Sequence, residues 1–181
     1  MPPTPVQHVL LAPVRARRRA LWWLAGAALP VRVGAQALQP PRGAVVLSIG
    51  GQIQRTNQGD RAALDMAMLE ALAQHSFRTK TPWFTEPRQF TGPLLRDVLG
   101  LVGAQGTTLR IGALNDYRAD VPSDDTRRHN VLLARLIDDK PIPVREKGPL
   151  FVIYPFDSDP SLRTPLYYSR SVWQVKSIDV L

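Results

Sequence analysis

The chain has no cysteine. No thiolate is available as nucleophile, redox centre or metal ligand, and no disulfide can reinforce the fold, so a packed core must hold it together. Histidine is scarce, at three in 181 residues. Only His75 and His129 lie beyond the first 37 positions, and neither sits in HExxH or a similar metal spacing. His75 reads as a satisfied strand residue and His129, beside Arg127 and Arg128, as a solvated one. There is no GxSxG elbow, Walker loop or GxGxxG. The adjacent acids Asp124-Asp125 and Asp138-Asp139 fall in turn contexts, where such pairs cap and turn rather than share a proton. Together these gaps argue against a hydrolase.

What the chain does have is a conspicuous start. Arg15, Arg17, Arg18 and Arg19 precede the apolar run Ala20 to Val31, which ends near Gly34-Ala35-Gln36-Ala37. The run is shorter than the ~20 apolar residues a spanning helix needs, and Pro30 and Arg32 interrupt it. Ala35 and Ala37 supply a small-x-small cleavage pattern, so residues 1–37 are expected to be a signal peptide and the protein to be periplasmic. An uncleaved N-terminal anchor is the alternative. Arg18-Arg19 also resembles a twin-arginine export signal. The chain carries 23 basic and 15 acidic residues, a net +8. Five arginines and no acid precede the expected cut, which leaves 18 bases against 15 acids, a net +3. The basic character thus belongs to the leader, and nucleic acid drops out as a partner.

Beyond a leader at 38–43, residues 44–181 are expected to form one domain with a sizeable core. Ala44 to Ile49 reads as a strand bounded by glycines. Asn57 to Asp60 reads as a turn, and Met66 to Ala73 as a short helix capped by Asp65, with Met66, Leu69 and Ala73 facing the core. His75 to Thr79 alternates like a strand, and Lys80 to Gln89, with two prolines, reads as a loop. Pro93 suits a helix N-terminus, followed by the stripe Leu94, Leu95, Val98, Leu99 and Val102 ending at Gly103. Further strands are expected at Leu109 to Ala113, Tyr117 to Val121, Val131 to Ile137, Leu150 to Tyr154 and Val172 to Val180. Pro122 to Asp125 reads as a turn or short helix. Short strands with a few short helices predict an α+β class, a single mixed sheet or barrel-like domain.

Aromatic and charged residues gather in the expected loops: Trp83-Phe84, Asn115-Asp116-Tyr117, Tyr154-Pro155, and Tyr167-Tyr168-Ser169-Arg170 ahead of Trp173. Rings beside a carboxylate and an arginine suit a flat, hydrogen-bonding heteroaromatic ligand. The alternative is that these rings are strand-end core residues with polar tips.

An ordered series of segments carries a resemblance. Phe90-Thr-Gly-Pro-Leu-Leu-Arg-Asp-Val-Leu is similar to "W-x-G-v-P-L-r-d-L-L", and Asp116-Tyr117 through Val121-Pro122 to "D-G-Y-x-x-x-l-P". Asp139-Lys-Pro-Ile-Pro with Lys147-Gly-Pro-Leu-Phe-Val-Ile-Tyr-Pro is similar to "G-x-P-L-p-x-x-h-G-x-P-l-R-l-v-v-P". Tyr168-Ser-Arg-Ser-Val-Trp-Gln-Val-Lys-Ser-Ile is similar to "x-R-S-x-K-W-l-x-x-I". Over most of 44–181 the chain resembles the molybdopterin-binding domain of the sulfite oxidase superfamily, which implies that fold. Enzymes of that family ligate molybdenum through a cysteine, and here Thr79 or a near neighbour stands in its place.

The chain therefore resembles a cysteine-less branch of small periplasmic proteins that bind free pterins and control an inner-membrane enzyme of cyclic di-GMP metabolism, with GGDEF or EAL output domains. That resemblance implies a reduced tetrahydropterin as ligand, no catalytic cofactor, no metal and no enzyme activity. It places Asp116 on the pterin amino edge, Trp173 and Tyr117 as stacking faces, Arg170 and Ser169 as polar contacts, and Trp83 and Arg78 as closing residues. Two alternatives stay open: a molybdopterin-dependent oxidoreductase with an oxygen ligand, and a degenerate, non-binding homologue.

Overall fold

The computed structural model describes Met1 and residues 38–181; the expected signal peptide lies outside the described residues. Among the described residues no helix is long and apolar enough to cross a membrane. The domain is a mixed, sheet-rich α+β unit. In chain order it runs β1 (Val45–Gly51), β2 (Ala62–Asp65), α1 (Met66–Glu70), β3 (Gln74–Thr81), β4 (Phe84–Pro93), α2 (Leu95–Val102), β5 (Thr108–Ala113) and β6 (Arg118–Pro122). There follow α3 (Asp125–Arg128), β7 (Leu132–Ala134), β8 (Leu136–Ile137), β9 (Lys140–Pro141), β10 (Phe151–Ile153), a 3-10 turn (Pro160–Leu162), α4 (Pro165–Arg170) and β11 (Val175–Val180).

Three sheets share the core. The largest has the order β2-β1-β11-β5-β6, antiparallel except where β1 runs parallel to β11 with Ser48 opposite Ser177. The second, β3-β4-β8-β9, grows from the β3–β4 hairpin. The third is the short β10–β7 pair. The last strand thus lies at the centre of the large sheet, between the first strand and one from the middle of the domain.

β1 buries Leu47 and Ile49, and α2 buries Leu95, Val98, Leu99 and Val102, as the helical stripe predicts. Gly103 ends α2 at φ 65°, a left-handed cap that glycine adopts without a Cβ penalty. Gly92 marks a close approach of β4 to β7: a Cβ there would lie 2.2 Å from the Leu133 carbonyl oxygen. Phe90 is fully buried, with Phe77, Phe84 and Phe151 rings 5.7–6.3 Å away.

Several expectations need correction. The expected single sheet is three sheets, and the strand expected at Val131 to Ile137 is broken at Arg135 into β7 and β8. The segment Lys80 to Gln89 is mostly strand, closed by a tight Pro82-Trp83 turn. Pro87 is tolerated because β8 pairs only with Phe90 and Thr91, leaving the start of β4 an open edge that needs no donor there. Pro93 ends β4 rather than opening a helix, and α2 begins two residues later with Leu94 as its cap. The first helix stops at Glu70; Leu69 is buried, Met66 half-buried and Ala73 exposed. The segment holding Tyr167 and Tyr168 is helical, not a loop. The leader at 38–43 is tied down: Arg42 and Gly43 donate backbone N–H bonds to the Asp65 carboxylate at 2.7 and 2.8 Å, and Leu38 packs on the core.

Asp65 also caps α1, accepting from Met68 N at 2.9 Å. The N–H groups of Met68 and then Gly43 hold its carboxyl below the usual carboxylate range. A carboxylate with a lowered folded pKa stabilises the fold above its unfolded pKa of ~3.9 and loses that contribution as pH falls through the folded value. Asp65→Asn is therefore expected to lower the urea midpoint at neutral pH, with the gap to wild type narrowing below about pH 4. Phe90→Ala is expected to cost about 3–5 kcal/mol in the same unfolding experiment.

Candidate functional site

A cavity of about 330 Å³ opens where the β3–β4 turn, the β5–β6 turn and the α4–β11 connection meet. Trp83 enters from the first, its backbone N–H donating to Thr81 Oγ1 at 3.3 Å. Its ring stands edge-on to Trp173 at 5.3 Å and 74°, and to Tyr168 at 6.2 Å and 80°. Trp173 is fixed from behind by a backbone bridge to Phe151 and by Lys147, whose Nζ lies 4.3 Å from its ring centroid. That ammonium also lies 5.6 Å from the Phe84 ring, and burial lowers its pKa.

The β5–β6 turn supplies Asn115 and Tyr117. Asn115 Oδ1 accepts from Tyr117 N at 3.2 Å, an Asx turn that aims the tyrosine. Tyr117 then donates its hydroxyl to the Ser169 carbonyl oxygen at 2.8 Å, linking the turn to α4 across 52 residues. Ser169, Ser171 and Val172 complete the wall. Ser171 is buried and its hydroxyl donates to Tyr167 O at 3.0 Å. The surroundings are thus largely aromatic, with hydroxyl and carboxamide groups at one side, a composition typical of small-molecule pockets.

Of the seven residues expected at a ligand site, the structure brings four together: Trp83, Tyr117, Ser169 and Trp173. The other three lie off the cavity wall. Asp116 is held at φ 64° with its side chain 85% exposed, and its carboxylate pairs with Lys176 at 3.1 Å. Arg78 is exposed on β3. Arg170 turns inward, where Nη1 donates to Asp125 Oδ2 at 2.9 Å. The same oxygen accepts from Tyr154 Oη at 2.7 Å. Burial, then the bond to Asp125, raises the Tyr154 pKa far above its ordinary value, so the phenol stays a donor. His129 is half-buried rather than solvated, edge-on to Tyr167 at 5.7 Å and 81°. His75 is exposed on β3.

Sequence reasoning noticed Asn115 and Tyr168 without assigning them, and it missed Ser171 and Val172. Thr164-Pro165, a capping residue followed by proline at the first helical position, was the available sign that Tyr167 and Tyr168 sit on a helix.

Thr79, the candidate stand-in for a metal ligand, is 1% exposed. Its Oγ1 accepts from Asp157 N at 3.0 Å, while Asp157 Oδ2 accepts from Lys80 N at 2.8 Å. The hydroxyl is spent locking β3 to the 157 turn, and a neutral hydroxyl is a weak donor for a metal that favours thiolate. Thr79 does not fit the role of a molybdenum ligand. Among the described residues no cluster of three histidines or acids could hold a metal ion. No family model matches the chain, and no curated protein matches it.

The Asp125–Arg170–Tyr154 contact sets α4 in place. Asp125→Ala leaves a guanidinium and a phenol without their acceptor in the interior, and is expected to cost about 3–5 kcal/mol. Tyr154→Phe removes one bond only and is expected to cost about 1–2 kcal/mol. Urea unfolding of the two variants checks both the size and the order of the effects.

Proposed function

We propose that this chain is a binding module that takes a flat heteroaromatic ligand, a reduced pterin, into the cavity bounded by Trp83, Tyr117 and Trp173. The observation that carries the reading is the convergence of those three rings, from three separate turns, on one opening of about 330 Å³. Cavities of this size accept small organic ligands. Trp173 and Tyr117 offer stacking faces. Asn115 and Ser169 offer polar groups beside them, and a carboxamide can both donate to and accept from an amino-oxo edge. Asp116 stands next to this wall and could reach the ligand only by leaving Lys176. The ordered resemblance to the sulfite oxidase molybdopterin-binding domain supports that fold for residues 44–181, and with it a pterin rather than another heterocycle. The role of Thr79 supports binding without molybdenum chemistry.

The proposal extends to signalling. Leu114, Tyr117, Val144 and Leu166 are all exposed, at 45–53%. Tyr117 lines the cavity, and hydrogen bonds join the others to its neighbours: Leu114 N donates to Gln174 O, next to Trp173, and Gln174 Nε2 donates to Val144 O. Ser169 Oγ in turn donates to Leu166 O. An apolar rim around a ligand cavity favours contact with another protein. The partner in this reading is the periplasmic part of an inner-membrane enzyme of cyclic di-GMP metabolism.

A tetrahydropterin at ~100-fold excess over its Kd is expected to stabilise the protein by about 2.7 kcal/mol in a thermal unfolding assay. Trp173→Ala is expected to abolish the gain. Asn115→Ala against Asp116→Ala identifies which side chain meets the amino edge, with Asn115 expected to matter more. Absence of any stabilisation of the wild-type protein by reduced pterins would sink the reading.

A further inference from the structure

A second groove, of about 460 Å³, shares no residue with the aromatic cavity. It lies between the start of α2, the 128–130 segment, β3 and the turn at 155–159. Its charge balance is unusual. Arg96 has no carboxylate partner among the described residues; its Nη1 donates to Asn130 Oδ1 at 3.0 Å and to Thr126 O at 3.5 Å. Arg128 shares the single carboxylate of Asp124 with Arg127, at 2.5 and 3.4 Å, and both guanidiniums are 73% exposed. Exposed pairs of this kind hold weakly and are easily redirected. Asp125, the neighbouring acid, is already committed to Arg170 and Tyr154.

Two imidazoles line the same groove, His75 and His129, and neither ring has a hydrogen-bond partner among the described residues. Each carries at least one N–H donor in any protonation state. The one acid in the wall, Asp159, caps its own 3-10 turn, accepting from Ser161 N at 2.8 Å, and also lies within charge range of His129. Apolar surface from the half-buried Phe77 lies among these donors, with the buried Leu94 and Leu132 beneath it.

We infer that this groove is a binding site for a small organic phosphate: Arg96, Arg128, His75 and His129 take the phosphoryl oxygens, and the apolar surface takes the organic body. Guanidinium forks match the spacing of phosphoryl oxygens, and charge-assisted bonds to them are stronger than neutral ones. A groove of this volume is larger than the anion alone requires, and its apolar residues have no role for a bare ion. The site is independent of the pterin reading, since the two sets of lining residues do not overlap.

The test is isothermal titration of the full chain with phenyl phosphate and, separately, inorganic phosphate. Saturable binding of phenyl phosphate is expected, with Arg96→Gln weakening it by about tenfold or more. His129→Gln should weaken it less, and Arg110→Gln, which removes a cation outside the groove, should leave it unchanged. Trp173→Ala should also leave it unchanged, separating this site from the aromatic cavity. Circular dichroism of Arg96→Gln checks the fold; should that variant unfold, His129→Gln becomes the deciding variant. No saturable binding, equal weakening by Arg110→Gln, or full affinity in both groove variants would overturn the site. Equal affinity for inorganic phosphate would overturn the part assigned to the apolar surface.

Discussion

Asp125 Oδ2 receives two donors, Tyr154 Oη at 2.7 Å and Arg170 Nη1 at 2.9 Å, in a setting from which water is almost absent. The three residues come from the start of α3, the end of β10 and the end of α4. Taking a carboxylate and a guanidinium out of water is costly, and the arrangement holds only because each charge finds the other with good geometry. Burial keeps the Tyr154 phenol protonated, so the third member of the set always donates. Arg170 spreads over the Tyr167 ring at 5.5 Å, and its buried Nε has no hydrogen-bond partner. Such a set has one workable geometry. It therefore fixes a six-residue helix that buries none of its own residues fully and could not hold its position by packing alone.

The aromatic cavity follows from that anchor. With α4 fixed, Tyr168 meets Trp83 and packs edge-on against Phe156 at 4.9 Å. The Ser169 carbonyl is then in place for the Tyr117 hydroxyl, and that bond closes the β5–β6 turn over the opening. Lys147 holds Trp173 through a cation–π contact without lining the cavity itself. Each edge-to-face contact occupies the face of one ring only, whereas a stacked contact occupies a face of both. The reciprocal contact between Thr79, Lys80 and Asp157 performs the matching service on the β3 side, tying the strand that leads to Trp83 to the turn after β10.

The phosphate groove depends on the same anchor in a different way. Because Asp125 is used up in the interior, the stretch Asp124 to His129 presents two guanidiniums and an imidazole against one carboxylate. The buried charge pair thus shapes two surfaces: it holds the aromatic wall on one, and it removes from the other the acid that would have neutralised the cations.

Much of the secondary structure was legible in residue order. The β-branched run in β1, the apolar stripe and closing Gly103 of α2, and the Asp65 cap of α1 each state their role within a few residues. The hairpin at Lys80 to Gln89 was not legible, because proline counts against a strand unless it lies on an open edge, and edge position is a property of the sheet. Helix α4 was hidden by its length, since six residues give too few repeats for a period to show.

By itself, the sequence determined the chemistry available: no thiolate, few imidazoles, a core of ordinary apolar residues, and rings concentrated near turns. Tertiary structure decided which of those residues meet. Tyr117 finds Ser169 across 52 positions, while Arg170 turns away from the aromatic cavity to Asp125, 45 positions away. Asp116 turns out to Lys176 as its neighbour Asn115 joins the cavity wall. Local patterns record which face of a strand or helix is apolar. They carry no record of sheet order, of which turns end up side by side, or of whether a charge is better satisfied inside than out, because those depend on the contacts of the whole folded chain.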